Sequence, residues 1–196
     1  MTTMQKWEVY AEGTFNNLRA NAHNWGRSFD DRRKISRDFY YGVFDSGNPN
    51  PTGLISQRAL ENQLEGKAGL NTWDHYHSPQ FVGRMIMENR DKYLEDYDAF
   101  KKIFLVCTQQ IRVTKKENED LSFLTAPDKD DYKVLVPTNL KYNHLGIHLF
   151  KRPEGKVRWK DSYAVDTNVL DIPQSLLEYE THYLVTPATI IEECAA

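Results

Sequence analysis

The sequence predicts an α+β fold in a single domain, residues 1–196, with helices over residues 1–125 and a small antiparallel sheet in the smaller part over 131–196. Three observations carry this. Apolar residues recur at three- and four-residue steps until about residue 125. Short β-rich runs between turn formers replace that rhythm after residue 131. The length of 196 residues, without internal repeats, matches one domain.

Taken in order, the N-terminal region to about Tyr41 holds one or two helices. Residues 45–53, DSGNPNPTG, form a turn cluster in which Asn48 and Asn50 each precede proline. Residues 54–64 have the spacing of an amphipathic helix. Ser78-Pro79 supplies an N-cap and a first-turn proline, and Phe81, Val82, Met85 and Ile86 follow as one stripe. A longer helical signal runs over residues 93–111, where Tyr93, Tyr97, Phe100, Phe104, Cys107 and Ile111 are spaced as a core-facing stripe. Asp91, Glu95 and Asp98 fall on its polar side. Thr114-Lys115-Lys116-Glu117 matches the capping box, so a short helix follows to about Leu124, burying Leu121 and Leu124. Residues 126–131 form a polar loop. Residues 132–136, 145–150 and 157–160 are β-rich, and the turn at 152–155 joins 147–150 to 157–159 as a hairpin. A helix from Pro173 to about Tyr179 and a strand over 183–185 close the chain.

Composition excludes several classes. Hydrophobic residues make up 40% and charged residues 27%, with 11 tyrosines, 9 phenylalanines and 4 tryptophans, so the chain has the material for a core and is not intrinsically disordered. No apolar run approaches the roughly 18 residues of a membrane span, and the first twelve residues lack the apolar centre of a secretory signal. Cys107 and Cys194 form neither a CxxC pair nor a disulfide framework, which predicts a reducing, cytoplasmic setting. Phosphate-loop, dinucleotide and nucleophile-elbow motifs are absent from the sequence. With a net charge of −3, the whole surface is not a general polyanion trap.

The most unusual run is TWDHYHSPQ, residues 72–80. Asp74-His75 precedes the Ser-Pro helix start, where a turn or short strand presents its side chains. The Asp-His pair followed by a nearby proline resembles the first half of the HNH (ββα-metal) endonuclease motif. That resemblance implies a divalent ion, Mg²⁺ or Mn²⁺, with Asp74 as ligand and His75 as general base on the attacking water. Asn118 would be the match to the final helical ligand, and Asn89 to the middle asparagine that orients the loop. The chemistry is coherent, since such ions favour oxygen ligands and a neutral imidazole can take a proton from water near pH 7. A separate reading comes from spacing alone. On strands, His75 and His77 share a face, as do His144 and His148, a set suited to zinc or iron if the two segments meet.

Two basic runs point to nucleic acid. Residues 19–37 hold six basic side chains, among them Arg32, Arg33, Lys34 and Arg37, against two acidic ones, interleaved with Trp25, Phe29, Phe39 and Tyr40. Residues 101–116 contain Lys101, Lys102, Arg112, Lys115 and Lys116 and no acid, and the last two open a helix, where main-chain N–H groups favour an anion. The expected function is metal-dependent hydrolysis of a nucleic-acid phosphodiester. The alternative is a non-catalytic nucleic-acid-binding or assembly module that uses aromatic and basic helix faces, including assembly with further copies of itself.

Overall fold

The structure, a computed structural model, describes residues 3–26, 28–47, 52–127, 132–155, 158–167 and 173–184. The fold is α+β, and it divides into two compact units, Met1–Gly53 with Trp73–Ile111 and Leu54–Thr72 with Arg112–Ala196. The elements in chain order are α1 (Thr3–Asn21), α2 (Phe29–Ser46), β1 (Leu54–Ser56), α3 (Gln57–Leu64), β2 (Asn71–His75), α4 (Pro79–Glu88), α5 (Arg90–Tyr93), α6 (Tyr97–Cys107), β3 (Gln110–Thr114), α7 (Lys115–Ser122), β4 (Thr125–Pro127), β5 (Tyr132–Val134), α8 (Lys141–His144), β6 (Leu149–Lys151), β7 (Tyr163–Val165) and α9 (Gln174–His182). The strands form a five-stranded sheet in the order β2-β3-β1-β6-β7 and a separate β4-β5 ribbon.

The first unit is a helical bundle in which α1 packs on α2, α2 on α4 and α1 on α6. Helical spacing turns Trp7, Ala11, Phe15 and Leu18 inward from α1, and Ile35, Phe39 and Val43 from α2. Phe39 meets Phe100 and Phe104 of α6 edge-on, with centroids 6.2 and 5.8 Å away. Two glycines let the helices approach. A Cβ at Gly83 would lie 2.9 Å from Phe39 Cβ, and one at Gly42 would strike Thr14 Oγ1. α2 begins at Ser28, whose Oγ accepts from Asp31 N at 3.1 Å, and ends at Gly47 with φ 78°.

The second unit is organised by two strand-to-helix passages. β1 pairs in parallel with β3, Ile55 opposite Arg112, and antiparallel with β6, which pairs antiparallel with β7. β1 runs directly into α3, with Ser56 as N-cap, and β3 runs directly into α7, with Thr114 as N-cap. The Thr114–Glu117 capping box is complete on both sides, as its sequence predicts. Ile55, Ala59 and Leu60 form a core cluster onto which Phe150 and Trp159 pack.

Several expected elements differ. The stripe over residues 93–111 is broken into α5, α6 and β3. Asp96 Oδ1 accepts from Asp98 N and Ala99 N and restarts the helix, and Ile111 is buried in a strand. The amphipathic signal over residues 54–64 is a strand followed by a helix, because the Ser56 side chain caps α3 and leaves Leu54 and Ile55 extended. In place of the expected hairpin partner at 157–159, the described strand on that side of β6 is β7. Trp159 opens a short 3₁₀ turn, its ring packed on the α3 cluster and under Arg152 at 4.6 Å, and β7 takes the place beside β6. Ala126 and Pro127 belong to β4, paired with β5, and not to a loop. Leu184 makes a single parallel bridge to Val134, while Val185 lies outside the described residues, as do Val157, residues 48–51 and Cys194.

Candidate functional site

In the first unit, α2 gathers cations and rings on one exposed side. At about 100° per residue, Arg33, Arg37, Tyr40, Tyr41 and Phe44 fall within one sector, opposite the buried Ile35, Phe39 and Val43. From Arg33 to Phe44 the stripe is about 16 Å long at the helical rise. Phe44 is 54% exposed and Tyr41 44%. The Arg37 Nη2 donates to Tyr41 Oη at 3.0 Å, and its guanidinium lies 5.4 Å from the Tyr41 ring centre, which fixes the cation beside the ring. Tyr40 and Phe44, four residues apart, lie nearly parallel with centroids 5.9 Å apart and 20° between planes. Burial, with the neighbouring Tyr41 and Asp45 adding to it, raises the pKa of Tyr40, so its phenol stays a neutral donor.

The end of β2 joins this face. The His75 ring lies 5.9 Å from Tyr40 and 6.5 Å from Phe44. Its Nε2 stands 2.8 Å from Gln110 Nε2. The two side chains share one hydrogen bond, whose direction follows the imidazole tautomer. The Nε2 of His75 is therefore engaged by Gln110. Asp74 precedes His75 on the strand, and consecutive strand side chains project to opposite faces. Asn118, the third expected ligand, belongs to α7 in the second unit. Among the described residues, no group of three or more His, Cys, Asp or Glu is placed to hold a metal ion. Asp74 and His75 as they stand do not fit an ion held between them.

The other sequence candidates fall elsewhere. β2 ends at His75, so the period-two relation does not reach His77, which is buried. His144 ends the helix α8, and His148 precedes β6 with an exposed side chain, so the two do not share a strand face. Asn89 caps the end of α4, its Nδ2 donating to Met85 O at 2.9 Å. Arg32 is half-buried and Lys34 exposed on α2, while Phe39 turns into the core and the side chain of Phe29 lies outside the described set. Lys115 and Lys116 are exposed at the start of α7. Lys116 pairs with Asp120 at 2.7 Å and Glu119 at 3.6 Å, and the capping box occupies main-chain N–H groups that would meet an anion there. Cys107 is fully buried, which pushes its thiol pKa far up and away from nucleophilic use. Sequence reasoning missed Tyr41, Phe44 and Gln110. The four-residue step from Arg33 through Arg37 to Tyr41 was the available signal for Tyr41 alone.

The second unit contains a polar cleft of about 340 Å³ lined by Gln57, Arg58 and Glu61 of α3, Glu117 and Asp120 of α7, and the segment ending at His148. Its acids are engaged within the protein. Glu117 Oε2 accepts from Ser56 Oγ at 2.7 Å and Thr114 N at 2.8 Å, Glu61 accepts from Gln57 at 3.0 Å, and Asp120 is paired with Lys116.

Compared with known proteins, the chain matches no family model, no curated protein and no solved structure. Among the described residues, no helix is long and apolar enough to cross a membrane.

Proposed function

We propose that the protein is a nucleic-acid-binding module that engages its ligand on the exposed side of α2. The observation that supports this reading is the alignment of Arg33 and Arg37 with Tyr41 and Phe44 on one helical face. Cations in line neutralise successive phosphates and release counterions, and exposed rings beside them accept bases by stacking. The arrangement needs no ion and no acid–base pair. Cleavage of the bound strand by Asp74 and His75 would be an added activity.

The test is anisotropy of a labelled oligonucleotide across a salt series. The wild type should bind with an affinity that falls as salt rises. The Arg33→Ala/Arg37→Ala pair should weaken binding and lower the log–log salt slope by about two. Unchanged affinity and slope in that pair would overturn the assignment. A plasmid-nicking assay with Mg²⁺ or Mn²⁺, comparing wild type with His75→Ala, reports separately on cleavage.

A further inference from the structure

We infer that the preferred ligand of this face is single-stranded, with a base laid on the ring of Phe44 while the phosphates on one side of it run along Arg37 and Arg33. This rests on the binding role proposed above and adds to it the strandedness of the ligand and the residue that reads it. A base offers its π-face to a protein ring only when unstacked from its neighbours, which duplex DNA does not allow without a cost in free energy.

The ring geometry indicates where the base would lie. Placing it between Tyr40 and Phe44 would require a plane separation of about 7 Å, twice the ~3.4 Å rise of stacked bases. The two centroids are 5.9 Å apart and the planes nearly parallel, so the pair is already closed on itself. Tyr40 is the half-buried member, and Phe44 is 54% exposed. Tyr41 is exposed too, but its ring is covered by the Arg37 guanidinium at 5.4 Å. Phe44 is therefore the ring with open area, and Tyr40 backs it. Charge complementarity selects the occupant. At the Arg33–Arg37 end of the stripe the cations Arg33, Lys34 and Arg37 outnumber Asp38, which favours an anionic chain with flat apolar bases over an apolar protein surface, while the exposed Asp45 beside Phe44 keeps the phosphates to the arginine end. The 16 Å between Arg33 and Phe44 spans at most about five nucleotides at the stacked rise of one strand, so the footprint is short.

The experiment compares a fluorescein-labelled oligothymidylate of roughly 12 nucleotides, inside the ~4–16 nucleotide range of single-strand sites, with a hairpin duplex of equal phosphate count. Wild-type protein should bind the single strand about tenfold or more tightly than the duplex. Phe44→Ala should lose about 5- to 100-fold on the single strand and little on the duplex, and Phe44→Trp should restore the preference. Phe44 is exposed, and circular dichroism of each variant checks that α2 is intact. Equal binding of both ligands, or a Phe44→Ala variant that binds the single strand like wild type, overturns the inference, and if the arginine pair still weakens both, the basic-face role survives. No binding of either ligand overturns both. A wild-type dimer that Phe44→Ala converts to monomer in light scattering, with oligonucleotide binding unchanged, would assign the face to a second copy of the chain and also overturn it.

Discussion

In the first unit, the groups proposed to meet a ligand come from one helix and stand on its solvent side. The cleft of the second unit is assembled from α3, α7 and the segment before β6, and its acids are tied to neighbouring side chains and, for Glu117, to main chain. The difference separates two uses of polar side chains. Along α2, Arg33, Tyr41 and Phe44 project away from the core that Ile35, Phe39 and Val43 form, so the stripe can change without disturbing the fold. Glu117 is 5% exposed and joins the first turns of two helices, so it is part of what holds the second unit together.

The sharpest way to break this comparison is to remove Glu117. Its carboxylate accepts from Ser56 Oγ and Thr114 N, and Ser56 Oγ in turn accepts from Ala59 N at the start of α3. Glu117→Ala leaves two inward-facing donors without an acceptor, at about 1–3 kcal/mol for such a group, and should cost roughly 3 kcal/mol in urea unfolding. Glu117→Gln keeps an acceptor oxygen and should cost less than half of that. A loss below about 0.5 kcal/mol in Glu117→Ala, the scale of an ordinary surface change, would mean that water replaces the carboxylate and the link is dispensable.

How much of this was legible in the chain depends on the range of each interaction. The capping box of Thr114 and Glu117 is a four-residue pattern, so it is readable and present. The bond from Ser56 to the same Glu117 crosses 61 positions and depends on β1 lying beside β3, which no local pattern encodes. The three- and four-residue rhythm of residues 93–111 ran on past the Asp96 cap and into β3, because apolar spacing does not mark where a polar side chain restarts a helix. On α2 the cations were readable from composition. Of the rings, only Tyr41 was marked by the step from Arg37; Phe39 is buried beside the half-buried Tyr40, and Phe44 becomes a partner of Tyr40 only once the helix runs to Ser46. The Asp-His pair was legible as residues and not as a site, because the alternation of β2 and the Gln110 partner of His75 are properties of the fold.

A mid-sized effect sharpens the comparison from the side of the bundle, which tolerates change on its surface and little between its helices. Gly83→Ala would place Cβ 2.9 Å from Phe39 Cβ and 3.1 Å from its Cγ, atoms close to the α2 backbone that cannot swing aside. Overpacking of about 1–3 kcal/mol, reduced by the ~1 kcal/mol that alanine gains over glycine in a helix, should leave a net loss of up to about 2 kcal/mol. Gly13→Ala on α1 meets nothing within 4 Å and should stabilise by about 0.5–1 kcal/mol in the same thermal melts. Equal effects at the two positions would show that α2 and α4 have slack at their crossing.

The smallest expected effect concerns Glu180, the buried acid that docks α9 in the second unit. Its carboxylate accepts from Thr138 N at 3.1 Å and from Thr138 Oγ1. Burial raises its pKa above the ordinary carboxylate value, and the bonds from Thr138 and the nearby Lys141 charge only partly oppose this. A folded-state pKa above the unfolded one means that the native state binds the proton more tightly. The stability this adds is fully present below the unfolded pKa and is lost as pH rises through the folded one. Lowering the pH from about 7 towards the ordinary carboxylate range should therefore remove a cost at this site, against the general tendency of acid to destabilise proteins. Glu180→Gln, neutral at every pH, should abolish this component while keeping an acceptor for Thr138. Subtracting the variant's melting curve from that of wild type at each pH isolates the component, which should favour wild type increasingly as the solution is acidified. A difference that moves the other way would mean that the Thr138 bonds outweigh burial and that Glu180, like Glu117, is held in place by the donors around it.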